Sequence, residues 1–139
     1  MQPTPYLFFP GTCFEAMSLY ADLLGGEVLG VVRNSDAAKP EDRMPAPDDA
    51  VMNMAVKTDG GMILGSDAPM DWHKTPQGFR LQLECPTAAE FDRLYAALGQ
   101  EAQAVDMPVG ETFWAERFTM FTDRFGTPWM LNFTGAKGA

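Results

Sequence analysis

The chain carries one segment twice: residues 12–24 read TCFEAMSLYADLL, and residues 87–99 read TAAEFDRLYAALG. Six identities lie 75 positions apart, namely Thr12/Thr87, Glu15/Glu90, Leu19/Leu94, Tyr20/Tyr95, Ala21/Ala96 and Leu23/Leu98. Each segment opens with the Thr-x-x-Glu spacing of a capping box, in which the hydroxyl and the carboxylate bond N-terminal amides. Apolar residues then recur at helical spacing, in the first segment at Phe14, Met17, Tyr20, Leu23 and Leu24, until glycines follow. The repeat predicts two similar modules, each with one amphipathic helix of about three turns.

Strand patterns surround each predicted helix. In the first module they cover residues 5–9, 27–33, 51–56 and 62–65, and in the second residues 79–85, 102–107, 117–122 and 128–133. Each module is therefore βαβββ, with module one at about 1–66, a linker at about 67–77 and module two at about 78–134, all within a single domain 1–139. The fold class is α+β. We expect the two modules to form one curved mixed β-sheet whose concave cleft holds a ligand.

Composition narrows the possible partners. The 139 residues include 19 acidic and 10 basic side chains, so the net charge is −9 and the field repels phosphate backbones and anionic membranes. The apolar stretch near the N-terminus is too short for a signal peptide or a membrane span. The cysteines, Cys13 and Cys85, do not form a C-x-x-C pair. These features predict a cytoplasmic protein with reduced thiols that binds neither nucleic acid nor membrane.

Several motifs together resemble one family. They are residues 5–9 (PYLFF), 15–20 (EAMSLY) with 24–26 (LGG), 66–69 (SDAP), 77–79 (QGF), 111–118 (ETFWAERF) and 123–129 (DRFGTPW). This set is similar to the PhnB-like branch of the glyoxalase, bleomycin-resistance and extradiol-dioxygenase superfamily, also called vicinal oxygen chelate proteins, over nearly the whole chain. The resemblance implies the fold of that superfamily, a small-molecule ligand and a homodimer, in which both chains can contribute to a site.

The resemblance also identifies four positions where enzymes of the superfamily hold a divalent metal. A ligand would lie near Thr4-Pro5, at Asn53, at Phe79, where Gly-His is frequent, and at Asn132, where Glu is frequent. Amides and a phenyl ring do not replace imidazoles and carboxylates as ligands of Zn²⁺, Ni²⁺ or Fe²⁺. We therefore predict no catalytic metal at the usual site and no cofactor, and neither glyoxalase nor dioxygenase activity.

The candidate site residues form two sets. Rings and amides expected to line a ligand pocket are Tyr6, Phe8, Asn53, Phe79, Trp114, Trp129 and Asn132, although core packing is the alternative for most of the rings. Catalytic candidates are Glu84, Glu111 and Arg117. Glu84 ends a strand, and Glu111 stands in an aromatic loop where burial would raise its pKa. Arg117 and Arg124 could bind a ligand anion or form internal ion pairs.

Two further residues have a structural and a functional interpretation. His73, the single histidine, is a loop residue or a proton carrier at a pocket rim. Cys13 packs the first helical turn, or it is a thiolate stabilised by the helix N-terminus.

Three functions remain open from the sequence. The first is a metal-free protein that binds a small aromatic or cationic compound. The second is a lyase or isomerase that is metal-dependent or carboxylate-based. The third, a methyltransferase, is least favoured because a Gly-rich strand-to-helix turn is absent from the sequence.

Overall fold

The computed structural model describes residues 1–69 and 71–138. The chain divides into two compact units, with the boundary between Lys74 and Thr75. The first unit contains β1 (Tyr6–Phe9), α1 (Cys13–Leu23), β2 (Glu27–Arg33), β3 (Val51–Thr58) and β4 (Gly61–Asp67). The second contains β5 (Leu81–Glu84), α2 (Ala88–Leu98), β6 (Ala104–Gly110), β7 (Arg117–Thr122) and β8 (Pro128–Phe133). The predicted α+β class and βαβββ order are confirmed.

Both units use the same sheet topology. The strand orders are β1-β4-β3-β2 and β5-β8-β7-β6, so the first strand of each unit pairs with the last. That pairing is parallel, and the other pairings are antiparallel. A parallel partner that is distant in sequence requires a crossover, and the helix of each unit supplies part of it.

Each helix covers one face of its own sheet and leaves the other face without a helix. In the first unit, α1 packs on β3, and Leu7, Met17, Met54 and Val56 are buried on that side. In the second unit, α2 packs on β8, and its Tyr95 ring meets the Phe121 ring edge to face, with the ring centroids 5.3 Å apart. Because side chains alternate along a strand, residues one position away point to the opposite face. We call these opposite faces the helix-free faces.

The two helices begin differently, which corrects one prediction. In α2 the Thr87 hydroxyl accepts a hydrogen bond from the Glu90 amide at 3.1 Å, which is the hydroxyl half of the predicted capping box, whereas the Glu90 carboxylate pairs with Arg93. In α1 the Thr12 hydroxyl makes no such bond and is buried without a hydrogen-bond partner among the described residues. Asp67, at the end of β4, instead accepts from the amides of Gly11 and Cys13 at 3.1 and 2.9 Å, which differ from the Glu15 amide that a Thr12 cap would bond. Phe14, expected in the apolar stripe, is 47% exposed.

The two glycines after α1 have separate functions. Gly25 adopts a φ of 64°, a left-handed conformation that residues with a side chain rarely adopt. Gly26 lies so close to β3 that a Cβ atom would stand 2.2 Å from the Lys57 carbonyl oxygen. The first glycine therefore ends the helix, and the second allows the chain to approach the sheet.

The loop at residues 34–49, between β2 and β3, is ordered by the buried side chain of Asn34. It contains two short 3-10 turns, Asn34–Asp36 and Pro40–Asp42. The Asn34 amide nitrogen donates to the carbonyls of Met44, Ala46 and Pro47 at 3.0 to 3.3 Å, and its oxygen accepts from the Met44 amide at 2.8 Å. The Asn34 side chain therefore joins the start of the loop to residues 44–47 near its end, although most side chains of the loop are exposed.

Candidate functional site

The helix-free face of the second unit carries a row of polar side chains on β5. Register pairs Gln82 with Met130 and Glu84 with Asn132, and Asn132 in turn pairs with Phe118 on β7. Paired residues point to the same side of a sheet, so Glu84, Asn132 and Phe118 are neighbours across three strands. This brings together two residues that are 48 positions apart in sequence.

Glu84 is held by a small hydrogen-bond network, which we call the Glu84 cluster: Glu84, Asn132, Thr134 and Trp114. The Asn132 amide nitrogen donates to both Glu84 oxygens, at 3.1 and 2.8 Å, and the Thr134 hydroxyl donates to Oε1 at 2.8 Å. The Trp114 indole nitrogen donates to the Asn132 oxygen at 3.2 Å. Asn132 is buried, whereas Glu84 is exposed. The cluster therefore fixes a carboxylate beside an aromatic ring at the protein surface.

The Glu84 carboxylate has no ion-pair partner among the described residues. The ion pairs of the described residues join Arg80 to Asp106, Arg93 to Glu90, Arg117 to Asp92 and Lys137 to Glu111. The two groups that bond Glu84 are neutral, so they orient the carboxylate without cancelling its charge. An oriented, uncompensated carboxylate close to an exposed aromatic ring is an arrangement that attracts organic cations.

The aromatic loop between β6 and β7 presents its rings in a fixed shape. The Thr112 hydroxyl accepts from the amides of Trp114 and Ala115 at 3.3 and 3.0 Å, and the Thr112 amide donates to the Ala115 carbonyl at 3.0 Å. The Trp114 ring meets Phe113 and Phe118 edge to face, at centroid distances of 5.0 and 5.2 Å. Trp114 is 41% exposed and Phe113 is 88% exposed. Trp114 is therefore accessible at the surface, and its place in a ligand pocket stays a prediction.

The helix-free face of the first unit holds three of the predicted ligand-binding residues. Tyr6 and Phe8 alternate with the buried Leu7 and Phe9 on β1, and they are 38% and 52% exposed. Their ring centroids lie 5.0 Å apart, and the Asn53 amide nitrogen donates to the Tyr6 hydroxyl at 3.4 Å. This face therefore also presents aromatic rings beside a neutral amide.

Phe79 lies at a concavity on the second unit. The concavity has a volume of about 650 Å³ and is lined by residues that include Gln77, Phe79, Arg80, Gln82 and Asp106. Phe79 is 50% exposed. Arg80 and Asp106 form an ion pair at 2.6 Å within this lining.

Three sequence predictions require correction. Trp129 is 1% exposed and donates from its indole nitrogen to Asp123 at 2.8 Å, so it belongs to the core on the α2 side. Arg117 lies on the same α2 side, where it pairs with Asp92 and donates to the Ala88 carbonyl. Glu111 is exposed and bonded to Lys137, which lowers the pKa of its carboxyl instead of raising it. Of the catalytic candidates, the Glu84 cluster contains Glu84 alone.

The remaining candidates are explained by local structure. Burial raises the pKa of the Cys13 thiol to about 12 and that of Cys85 to about 11, so neither is a thiolate at neutral pH. His73 is half-buried in the loop after Pro69, whose carbonyl accepts its backbone amide at 3.1 Å. Arg124 lies over the Phe125 ring at 4.5 Å to the centroid.

Sequence reasoning missed Thr134, Arg80 and Asp106. A signal for Arg80 was present, because Arg80, Gln82 and Glu84 alternate with Leu81, Leu83 and Cys85, which places the polar residues on one face. Thr134 follows β8, and Asp106 stands at a register shift between Val105 and Met107. Neither position is marked by a sequence motif.

The residues present do not fit the metal that enzymes of this fold use. At the second-unit position the side chain is the Asn132 amide, whose nitrogen is directed at Glu84 and whose oxygen accepts from Trp114. At the first-unit position the Asn53 amide bonds a tyrosine hydroxyl. Among residues 1–69 and 71–138, no group of three or more His, Cys, Asp or Glu side chains is arranged to hold a metal ion. Neutral amides already committed to internal bonds make poor ligands for a transition metal.

Two βαβββ units, each with a helix-free sheet face, are typical of the superfamily that the sequence motifs resemble. The chain belongs to the Glyoxalase/Bleomycin resistance protein/Dioxygenase superfamily, whose family model matches residues 4–131. It is 33% identical over 140 residues to Protein YjdN from Escherichia coli (strain K12), covering 95% of each chain.

Solved structures show the same relationship. Protein PA1353 from Pseudomonas aeruginosa is 36% identical, with a TM-score of 0.84 over 96% of this chain and 97% of that one. The PhnB protein from Bacillus cereus is 24% identical, with a TM-score of 0.80 over 96% of this chain and 99% of that one. At that identity the second likeness concerns the fold.

Proposed function

We propose that this protein binds a small organic cation, preferably one with an aromatic or extended apolar part, without a catalytic metal. The observation that carries the proposal is the Glu84 cluster, which holds an uncompensated carboxylate next to the exposed Trp114 ring. The net charge of −9 adds a long-range field that draws cations toward the chain. The exposed rings of Tyr6 and Phe8 offer a second aromatic surface.

A carboxylate-based lyase or isomerase is less well supported. Such chemistry needs an acid and a base, or an electrophile, converging on one reacting atom. Arg117 lies on the opposite face from Glu84, and Glu111 is tied to Lys137 with a lowered pKa. Glu84 therefore lacks both of the catalytic partners that the sequence suggested, and binding is the function that its surroundings favour.

Three other features predicted in the sequence analysis stay predictions: the homodimer, the ligand cleft and the cytoplasmic location. A homodimer is consistent with the exposed apolar side chains Val28, Leu29 and Val32 on β2 and Val105 and Val109 on β6. The concave cleft as the location of the ligand and the cytoplasmic location also remain predictions. None of the helices among the described residues is long and apolar enough to cross a membrane.

The Glu84→Gln variant tests the proposal. Replacing the carboxylate with a neutral amide of the same shape should weaken binding of octylammonium and of ethidium by about tenfold, because the attraction between the two charges is lost. The measurement is a titration followed by ¹⁵N–¹H spectra, with the Trp114 indole signal as the reporter. Trp114→Ala, in which the backbone amide signals of Ala115 and Phe118 serve as reporters instead, should weaken ethidium binding by a similar factor, since the ring contact is lost.

Two matched variants serve as controls. Glu90→Gln removes the same charge on α2, and Trp72→Ala removes an indole that is 59% exposed in the first unit. Both should bind the two cations as the unmodified protein does. Equal binding of octylammonium by Glu84→Gln and by the unmodified protein would refute the proposal.

A further inference from the structure

The ion pair of Arg80 and Asp106 lies near the same sheet face as Glu84. Arg80 precedes β5 and has the same alternation parity as Gln82 and Glu84, so the three side chains follow one another along the helix-free face. Four residues of parallel strand span about 13 Å, which separates the Cα atoms of Arg80 and Glu84. A ligand bound at Glu84 and lying along β5 therefore reaches Arg80 if it is about that long.

The hydrogen-bonding capacity of Arg80 is largely used within the protein. One terminal nitrogen, Nη1, donates to the carbonyls of Phe121 and Trp129 at 3.2 and 3.3 Å. The other, Nη2, donates to Asp106 Oδ2 at 2.6 Å. The Arg80 side chain is 23% exposed and that of Asp106 is 43% exposed. The guanidinium is therefore fixed in place and its charge is balanced by an exposed carboxylate.

This balance determines what the concavity accepts. Asp106 Oδ1 accepts no hydrogen bond from a described residue, so a ligand N–H or O–H can reach it, whereas a ligand carboxylate would meet its negative charge. The other lining groups include the neutral side chains of Gln77, Gln82, Phe79 and Met130. The surroundings favour an uncharged hydrogen-bonding group over an anion.

We propose that Asp106 is a specificity-determining residue, because it neutralises the charge of Arg80. The site then takes an elongated cation with a neutral amide or hydroxyl at its far end, and it rejects a cation with a carboxylate there. The ligand class is thus an extended amine-amide or amine-alcohol. This inference rests on the proposed function, because the cationic end of the ligand is bound at the Glu84 cluster.

The experiment compares 8-aminooctanamide with 8-aminooctanoate on the unmodified protein and on Asp106→Asn. The chain between amine and carbonyl spans about 10 Å, which approaches the separation of about 13 Å between the Arg80 and Glu84 Cα atoms once a hydrogen bond is added at each end. We expect the unmodified protein to bind the amide about tenfold more tightly than the acid. In Asp106→Asn the Arg80 guanidinium has lost its ion-pair partner and attracts the ligand carboxylate. The preference for the amide should therefore fall to about unity or reverse.

Two controls separate this effect from others. Asp92→Asn removes the same charge from the Arg117 pair on the α2 side, and its amide-to-acid preference should equal that of the unmodified protein. The shorter 4-aminobutanamide and 4-aminobutanoate span only about 5 Å, less than half of the separation of Arg80 and Glu84 along the strand, so Asp106→Asn should not alter their ratio.

The results distinguish this inference from the proposed function. An amide-to-acid ratio for the eight-carbon probes that is the same in Asp106→Asn and in the unmodified protein would overturn the specificity role, while binding of octylammonium that depends on Glu84 would still stand. Octylammonium binding that is indifferent to Glu84→Gln would instead refute the proposed function.

Discussion

Asp67→Ala should lower the free energy of unfolding by about 3–5 kcal/mol. The side chain is 6% exposed, and it accepts from three backbone amides, those of Gly11, Cys13 and Val51, at 3.1, 2.9 and 2.9 Å. Alanine would leave these donors without partners, and each buried unsatisfied donor costs about 1–3 kcal/mol. Urea unfolding followed by circular dichroism measures the change.

The control for this variant is Asp71→Ala, which removes an exposed carboxylate four positions away. It should change the free energy of unfolding by no more than about 0.5 kcal/mol. A loss of less than about 1 kcal/mol for Asp67→Ala would show that Asp67 does not hold the start of α1 and the start of β3 together.

Asp123→Ala should destabilise the second unit by a similar amount, about 3–5 kcal/mol. This carboxylate is 1% exposed, and it accepts from the amides of Phe125 and Thr127 and from the Trp129 indole nitrogen at 2.8 to 3.0 Å. The same urea experiment provides the measurement.

A companion variant, Trp129→Phe, keeps a ring in the core but removes the indole donor. It should cost less than Asp123→Ala and should leave octylammonium and ethidium binding unchanged, because Trp129 lies on the α2 side of the sheet. Weaker cation binding by this variant would contradict the assignment of Trp129 to the core.

Much of the fold could be predicted from the sequence because its signals are local. The repeated helical segment, the turn glycines and the alternating strands each depend on residues close together in the chain. The start of α1 could not be predicted in this way. The Gly11 and Cys13 amides at this end are bonded by Asp67, more than 50 residues away, and the Thr12 hydroxyl makes no cap bond.

Alternation along β8 separates two residues of the predicted ligand-binding set, Trp129 and Asn132. Trp129 and Asn132 are three positions apart, so they point to opposite faces of the sheet. The strand pattern could have separated them, because a ligand on one face cannot meet both residues.

The Glu84 cluster depends on strand pairing, which a single sequence does not specify. Glu84 meets Asn132 and Thr134 only because β5 lies beside β8 in parallel register. Asp106 reaches Arg80 from the opposite edge strand of the same sheet. Contacts of this kind follow from tertiary structure and carry no local sequence signal.

Metal content tests the central claim most directly. The purified protein is dialysed against Ni²⁺, Zn²⁺, Mn²⁺ and Fe²⁺, free metal is removed, and the metal per chain is measured by plasma mass spectrometry. Because amides occupy the positions where ligands would lie, we expect a stoichiometry near zero, with cation binding at Glu84 unchanged by a chelator. A stoichiometry of about one metal ion per chain would contradict the account and would make a metal-dependent enzyme the leading interpretation.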